Sequence, residues 1–95
     1  MDNINELKAL LSAPKNIVIT THRNPDGDAI GSSLGLYHFL NKGGHTVRMI
    51  TPSEYPDVFS WMPEIEKMVI YDIDPDYSKA LVEKADIIFC LDFNA

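Results

Sequence analysis

The sequence predicts an α/β fold, an open and mostly parallel sheet with flanking helices, and three observations carry that prediction. Short apolar, β-branched runs alternate with segments of helical period along the whole chain, the order expected of a parallel α/β sheet. The first run, Ile17-Val18-Ile19-Thr20-Thr21, is mostly apolar without polar alternation, as in a strand buried on both faces. A helical pattern then leads directly into a second such run, giving a βαβ unit whose crossover should be right-handed.

Each element has local reasons to form. Asn3 and Glu6 stand at capping-box spacing, and Ile4, Leu7, Leu10 and Leu11 fall on one helical face, so a short helix should open the chain. Pro14-Lys15-Asn16 ends it before the first strand. The segment from Ala29 to Leu40 is helical, with Ile30, Leu34 and Tyr37 at i, i+4 and i+7, and Gly31, Ser32 and Gly35 thin part of its surface, which suits close approach to the sheet. Asn41-Lys42-Gly43-Gly44 supplies its stop, and Thr46 to Ile50 forms the second strand. Residues 51–67 are broken by Pro52, Pro56 and Pro63. Val58, Phe59, Trp61 and Met62 within them are expected to pack down onto the domain as a short turn, with a pocket-capping role for Trp61 as the alternative. Met68 to Tyr71 reads as a short strand. Asp74-Pro75 is an N-cap and N1 pair opening a helix through Lys84 with Leu81 and Val82 inward, and Asp86 to Leu91 is the last strand.

Bulk properties narrow the function classes. Ninety-five residues make one small domain at most, and a hydrophobic fraction of 45% with 23% charged residues is that of an ordinary globular chain. The net charge of −6 argues against tracking a long nucleic-acid duplex, because such binding rests on lysine and arginine displacing counterions. The sequence shows neither an apolar segment of about 18 residues nor a basic leader followed by an apolar core, so no membrane partner and a cytoplasmic location are expected. The single cysteine, Cys90, lies inside an apolar run and is read as a small core residue.

The stretch from His22 to Ser33 concentrates the chemistry. One imidazole, His22, and two carboxylates, Asp26 and Asp28, stand within seven residues, between a strand and a helix. Gly27 lets the backbone fold sharply between the carboxylates, while Pro25 fixes its own φ and holds Asn24 extended. Such a mixed nitrogen and oxygen set suits Mn2+ or another octahedral divalent ion better than a thiolate-seeking one, with zinc as the weaker alternative. A fourth carboxylate, Asp92, ends the last apolar run. All four fall at carboxyl ends of strands, where open α/β sheets bind ligands. A blander reading stands beside this one: Asn-Pro-Asp-Gly is a strong turn signal, Asp28 an ordinary helix N-cap, and Asp92 a turn residue. Gly27, Gly31 and Gly35 match neither the dinucleotide fingerprint nor the P-loop. Arg23 is read as solvated, with a phosphate contact as the alternative, and His38 and His45 as surface or loop residues.

Residues 19–36, with the motif His22-x-Asn24-Pro25-Asp26-Gly27-Asp28-Ala29-Ile30-Gly31-Ser32, and the later Leu91-Asp92-Phe93-Asn94 closely resemble the DHH phosphoesterase family, in its oligoribonuclease and pAp-phosphatase branch. The resemblance implies a Rossmann-like DHH catalytic domain and a site for two divalent metal ions. Mn2+ is the expected ion, with Mg2+ or Co2+ accepted in its place. By similarity, His22 and Asp26 would hold the first ion, Asp28 the second, and Asp92 would bridge both, with a metal-bridging hydroxide attacking the phosphoester. The implied substrates are short oligoribonucleotides and 3′-phosphoadenosine 5′-phosphate. The Asp-His-His triplet that names the family does not occur within the 95 residues. Residues 1–95 are therefore expected to be the N-terminal part of the catalytic domain, without the remainder and the substrate-binding domain, and to be inactive alone. Pyrophosphate or polyphosphate hydrolysis within the same superfamily is the sibling reading, disfavoured by Gly27 and Ala29, where that branch more typically has Thr and Ser. A non-catalytic α/β binding module is the reading from a different class, and a homo-oligomer stays open.

Overall fold

The computed structural model of the chain describes residues 6, 8–21, 27–54 and 60–91. Strand β1 (Asn16–Thr21) is followed by helix α1 (Gly27–Lys42), β2 (Thr46–Thr51), a 3-10 turn (Ile65–Lys67), β3 (Met68–Ile70), helix α2 (Pro75–Lys84) and β4 (Ile87–Leu91). The four strands form one sheet in the order β3-β2-β1-β4, and every neighbouring pair is parallel. The expected α/β class with a parallel sheet and flanking helices is therefore what the chain adopts. The capping residue Asn3 and the apolar Ile4 and Leu7 of the opening helix lie outside the described residues. Of the two residues of that face that are described, Leu10 is half exposed and Leu11 packs against the core.

Central placement explains the composition of β1. It pairs with β2 along one edge and β4 along the other, α1 and α2 pack over its two faces, and Ile17, Val18 and Ile19 are all at most 2% exposed. The in-register pairs Ile17↔Val47 and Ile17↔Ile87 put alternate residues on common faces, because side chains in a strand alternate sides. One face carries Ile17, Ile19, Val47, Met49 and Met68 and meets Ile30, Leu34, Tyr37 and Leu40 of α1 to form the core. The other face, with Val18, Thr46 and Arg48, meets α2 across a cavity of about 230 Å³ that Leu81 also lines.

The apolar period of α1 is the predicted one, although the helix runs two residues further at each end than the segment Ala29 to Leu40. Its C-terminus closes with Gly44 at φ 90°, in the left-handed region where glycine carries no Cβ penalty, and the His45 N–H reaches back to the Leu40 carbonyl at 3.3 Å. His45 is a loop residue as expected but not a surface one. It is buried, and its Nδ1 accepts the Lys15 N–H at 3.1 Å, tying the start of β1 to the turn before β2.

Gly31, Ser32 and Gly35 correct the sequence reading. They face away from the sheet: all three are exposed, and a Cβ added at either glycine meets nothing within 4 Å. The helix is anchored instead by Ala29, Ile30 and Ser33 on the opposite side, where the Ser33 hydroxyl donates to the Ala29 carbonyl at 2.8 Å. Gly31→Ala and Gly35→Ala should each stabilise the domain by about 0.5–1 kcal/mol, since only the helical cost of glycine is removed. Urea unfolding with an unchanged m-value checks this, and a loss of stability at both positions would contradict the exposed placement.

The β2–β3 crossover ends in the 3-10 turn, whose Ile65 and the following Met68 enter the core. Val58 and Phe59 lie outside the described residues. Met62 packs against the core as expected, but Trp61 is 72% exposed and does not. Lys67 bonds Glu64 at 2.6 Å and lies within 3.4 Å of the Tyr37 hydroxyl of α1. The hydrogen bond to Lys67 holds the Glu64 carboxyl below its ordinary range. That contribution is present above the ordinary carboxylate pKa and fades as pH falls through the lowered one.

Helix α2 starts at Pro75 as predicted, yet Asp74 makes no side-chain cap bond; its backbone carbonyl accepts the Ser78 hydroxyl at 2.9 Å. Ser78 is the buried residue of this helix, Leu81 is half-buried, and Val82 is 40% exposed rather than inward. Cys90, expected in the core, is likewise exposed, beside Ile88 at 45%. One cause covers these differences. Helix α2 packs over β1 and β3, and β4 pairs with β1 alone among the described residues, so the β4 side chains on the α2 face gain no cover. Ile87, Phe89 and Leu91, on the α1 face, do pack against the core. Among the described residues no helix is long and apolar enough to cross a membrane.

Candidate metal centre

The sheet order contains one reversal. From β1 the chain moves outward to β2 and β3, then returns past β1 to place β4 on its other side. In open parallel sheets such a switch point leaves a crevice outside the carboxyl ends of the two strands that flank it, because their connections leave in opposite directions. Those strands are β1 and β4. Their register runs from Ile17↔Ile87 to Thr21↔Leu91, so the last described residues of both strands are direct partners. Neighbouring strands lie about 4.8 Å apart. Thr21 immediately precedes His22 in the sequence, and Leu91 immediately precedes Asp92.

Of the four predicted donors, the structure describes Asp28. Helix α1 begins at Gly27, so Asp28 lies inside the first turn and is not the N-cap that the blander reading required. It is exposed, at the helix end where the backbone dipole favours negative charge. His22, Asp26 and Asp92 lie outside the described residues, as does Arg23. Among the described residues no group of three or more His, Cys, Asp or Glu side chains is assembled that could hold a metal ion. The donor set nevertheless fits a hard divalent cation: it consists of one imidazole and three carboxylates, and the described part of it presents an exposed carboxylate at the switch-point edge.

The same edge holds three buried polar residues that the sequence reading passed over. Thr21 is 7% exposed, Thr51 0% and Ser53 8%. The Thr21 hydroxyl donates to Thr51 Oγ1 at 3.2 Å, and the Thr51 hydroxyl donates to the Ser53 carbonyl at 3.0 Å. Their signal in the sequence is a hydroxyl residue ending each of the two apolar runs, at Thr21 and Thr51.

Comparison with known proteins agrees with this architecture. A bifunctional oligoribonuclease and PAP phosphatase NrnA from Thermus thermophilus is 43% identical over 51 residues, 54% of this chain and 15% of that protein. The crystal structure of an exopolyphosphatase-related protein from Bacteroides fragilis superposes with a TM-score of 0.92 at 44% identity, covering 99% of this chain and 28% of that one. The chain thus spans less than a third of the length of either. Residues 16–95 match the N-terminal domain of the DHH family, and with the parallel sheet and its switch point in place, the chain belongs to that family.

Proposed function

We propose that this chain is the N-terminal part of the catalytic domain of a metal-dependent phosphoesterase, acting on short oligoribonucleotides, 3′-phosphoadenosine 5′-phosphate, or both. The observation that carries the reading is the β1–β4 register ending at Thr21↔Leu91, which brings the segments leading to His22 and Asp92 side by side at the switch point. The relative whose name joins oligoribonuclease and PAP phosphatase activity supports the substrate class.

In this proposal His22, Asp26, Asp28 and Asp92 are the protein's ligands for two divalent ions, Mn2+ by preference. Bound there, the ions supply Lewis-acid polarisation of a phosphoryl group and activation of water. The chain's own residues hold and orient. His22 and Asp92 directly follow in sequence the paired strand ends Thr21 and Leu91, and Asp28 stands in the first turn of α1, where exposed N–H groups favour a substrate phosphate as well. Asp92 would contribute a carboxylate to both ions by similarity, and in this proposal the remaining ligands and the substrate-selecting surface come from polypeptide outside residues 1–95.

Calorimetry with Mn2+ tests the site. Wild-type protein should take up the ion, and Asp26→Asn should abolish the heat; no heat from the wild type with any divalent ion would favour a non-catalytic binding module. A second reading, hydrolysis of polyphosphate or pyrophosphate, draws on the exopolyphosphatase-related structure. Parallel Mn2+ assays on pAp and polyphosphate separate the two, and preferential release of phosphate from polyphosphate would overturn the nuclease reading. The 95 residues alone should hydrolyse pAp poorly or not at all beside a polypeptide of the relatives' length.

A further inference from the structure

We propose that Thr51 is a positioning residue for the end of β1, which directly precedes His22 in the sequence, an inference that rests on the metal-site reading above. Thr51 is the last residue of β2 and is completely enclosed, at 0% exposure. Its backbone carbonyl accepts the Tyr71 N–H at 2.8 Å, just past β3. Its hydroxyl has one proton, committed to the Ser53 carbonyl at 3.0 Å, which can only accept. The oxygen is therefore left to face Thr21 as an acceptor, in a 3.2 Å bond that the Thr21 hydroxyl donates.

This arrangement does something that apolar packing alone does not. The β1–β2 register pairs run from Asn16↔Thr46 to Thr20↔Ile50, and the hydroxyl bond carries the hold one residue further, to Thr21. On its other flank Thr21 is held against Leu91 by the β1–β4 register. Thr51 thus ties the carboxyl edges of β1, β2 and β3 together at the residue before His22. Valine has the same shape and would avoid the cost of burying a hydroxyl, so packing gives no reason for threonine here. A directed bond that restrains the stiff, β-branched Thr21 side chain gives one.

The test is a Mn2+ titration by calorimetry of the full-length polypeptide as wild type, Thr51→Val and Thr51→Ser, with the metal-free Tm of each. Thr51→Val should weaken Mn2+ binding by roughly 10-fold or more, the range found when groups that orient metal ligands are removed. Thr51→Ser keeps the hydroxyl and should restore wild-type affinity, even though the lost methyl lowers its metal-free Tm. Should Thr51→Val fail to fold, Thr21→Val removes the donor from the other end of the same bond and should weaken binding by at least as much. Wild-type affinity in a Thr51→Val protein with a lowered Tm would overturn the positioning role and leave the metal site standing. A wild type that takes up no Mn2+ would overturn the metal-site reading itself, and the inference with it.

Discussion

Asp92→Asn, made in a polypeptide of the relatives' full length, should reduce turnover of pAp by more than the roughly 10–100-fold typical of groups that only orient a metal ligand. The substitution keeps the shape of the side chain and removes its charge, so it separates ligation from packing. Asp92 directly follows Leu91, the register partner of Thr21, and Thr21 directly precedes His22. A carboxylate ligand would neutralise cation charge that a neutral amide cannot, so Mn2+ affinity should fall together with rate. Metal-free stability should change little beside the loss of rate, because the exchange is isosteric. Steady-state kinetics with Mn2+, alongside thermal unfolding in chelator, reads both quantities. Unchanged turnover would remove Asp92 from the site and return it to the role of a turn residue.

Much of the fold was legible because it depends on periodicity and local chemistry. The i, i+4, i+7 spacing of Ile30, Leu34 and Tyr37 identified the buried face of α1, and the unalternating Ile17-Val18-Ile19 run identified a strand covered on both sides. Pro75 marked the first residue of α2 through its fixed φ. What the sequence could not supply was the lateral order of the strands. Cys90, Ile88 and Val82 look like core residues in any apolar run, and they are exposed because β4 stands at the outside of the described sheet, with α2 lying over β1 and β3 instead. Trp61 fails in the same way: bulk and apolarity measure the benefit of burial, not whether a neighbour is there to provide it. Gly31 and Gly35 illustrate the converse, since small size permits close approach but does not require it.

For the candidate site the sequence offered donors, of which the structure describes Asp28, and it did not single out the polar residues buried beside the strand ends. An imidazole and three carboxylates at strand ends are conspicuous in a sequence, because their chemistry is unusual at those positions. The buried chain from Thr21 through Thr51 to the Ser53 carbonyl is built from β-branched residues that also favour strands, so only the register shows that their hydroxyls meet. The pairing of β1 with both β2 and β4 sets the last described residues before the two motifs, Thr21 and Leu91, side by side, which the sequence alone does not show.

Ile30→Ala should cause the largest loss of stability of the substitutions considered, one residue from a change that should stabilise. Ile30 is 0% exposed and packs in the core with Ile17, Ile19, Leu34 and Met49, so truncation removes buried methyl and methylene groups and leaves a cavity in a close-packed layer. Such changes cost about 2–5 kcal/mol, a large fraction of the roughly 5–15 kcal/mol that stabilises a typical domain. For a chain of this size the Tm should drop on the order of 10–30 °C. Gly31 is rotated by about 100° around the same helix and faces solvent, which is why alanine there has the opposite sign. The consequence reaches the site as well, because Ile30 secures the first turn of α1 and Asp28 is in that turn. Ile30→Val, costing only about 0.5–1.5 kcal/mol, should therefore keep Mn2+ affinity near that of the wild type, whereas Ile30→Ala should lose affinity even at temperatures where it stays folded. A Tm unchanged by Ile30→Ala would mean that α1 does not seat on the sheet through this residue, and the placement of Asp28 beside the switch point would fall with it.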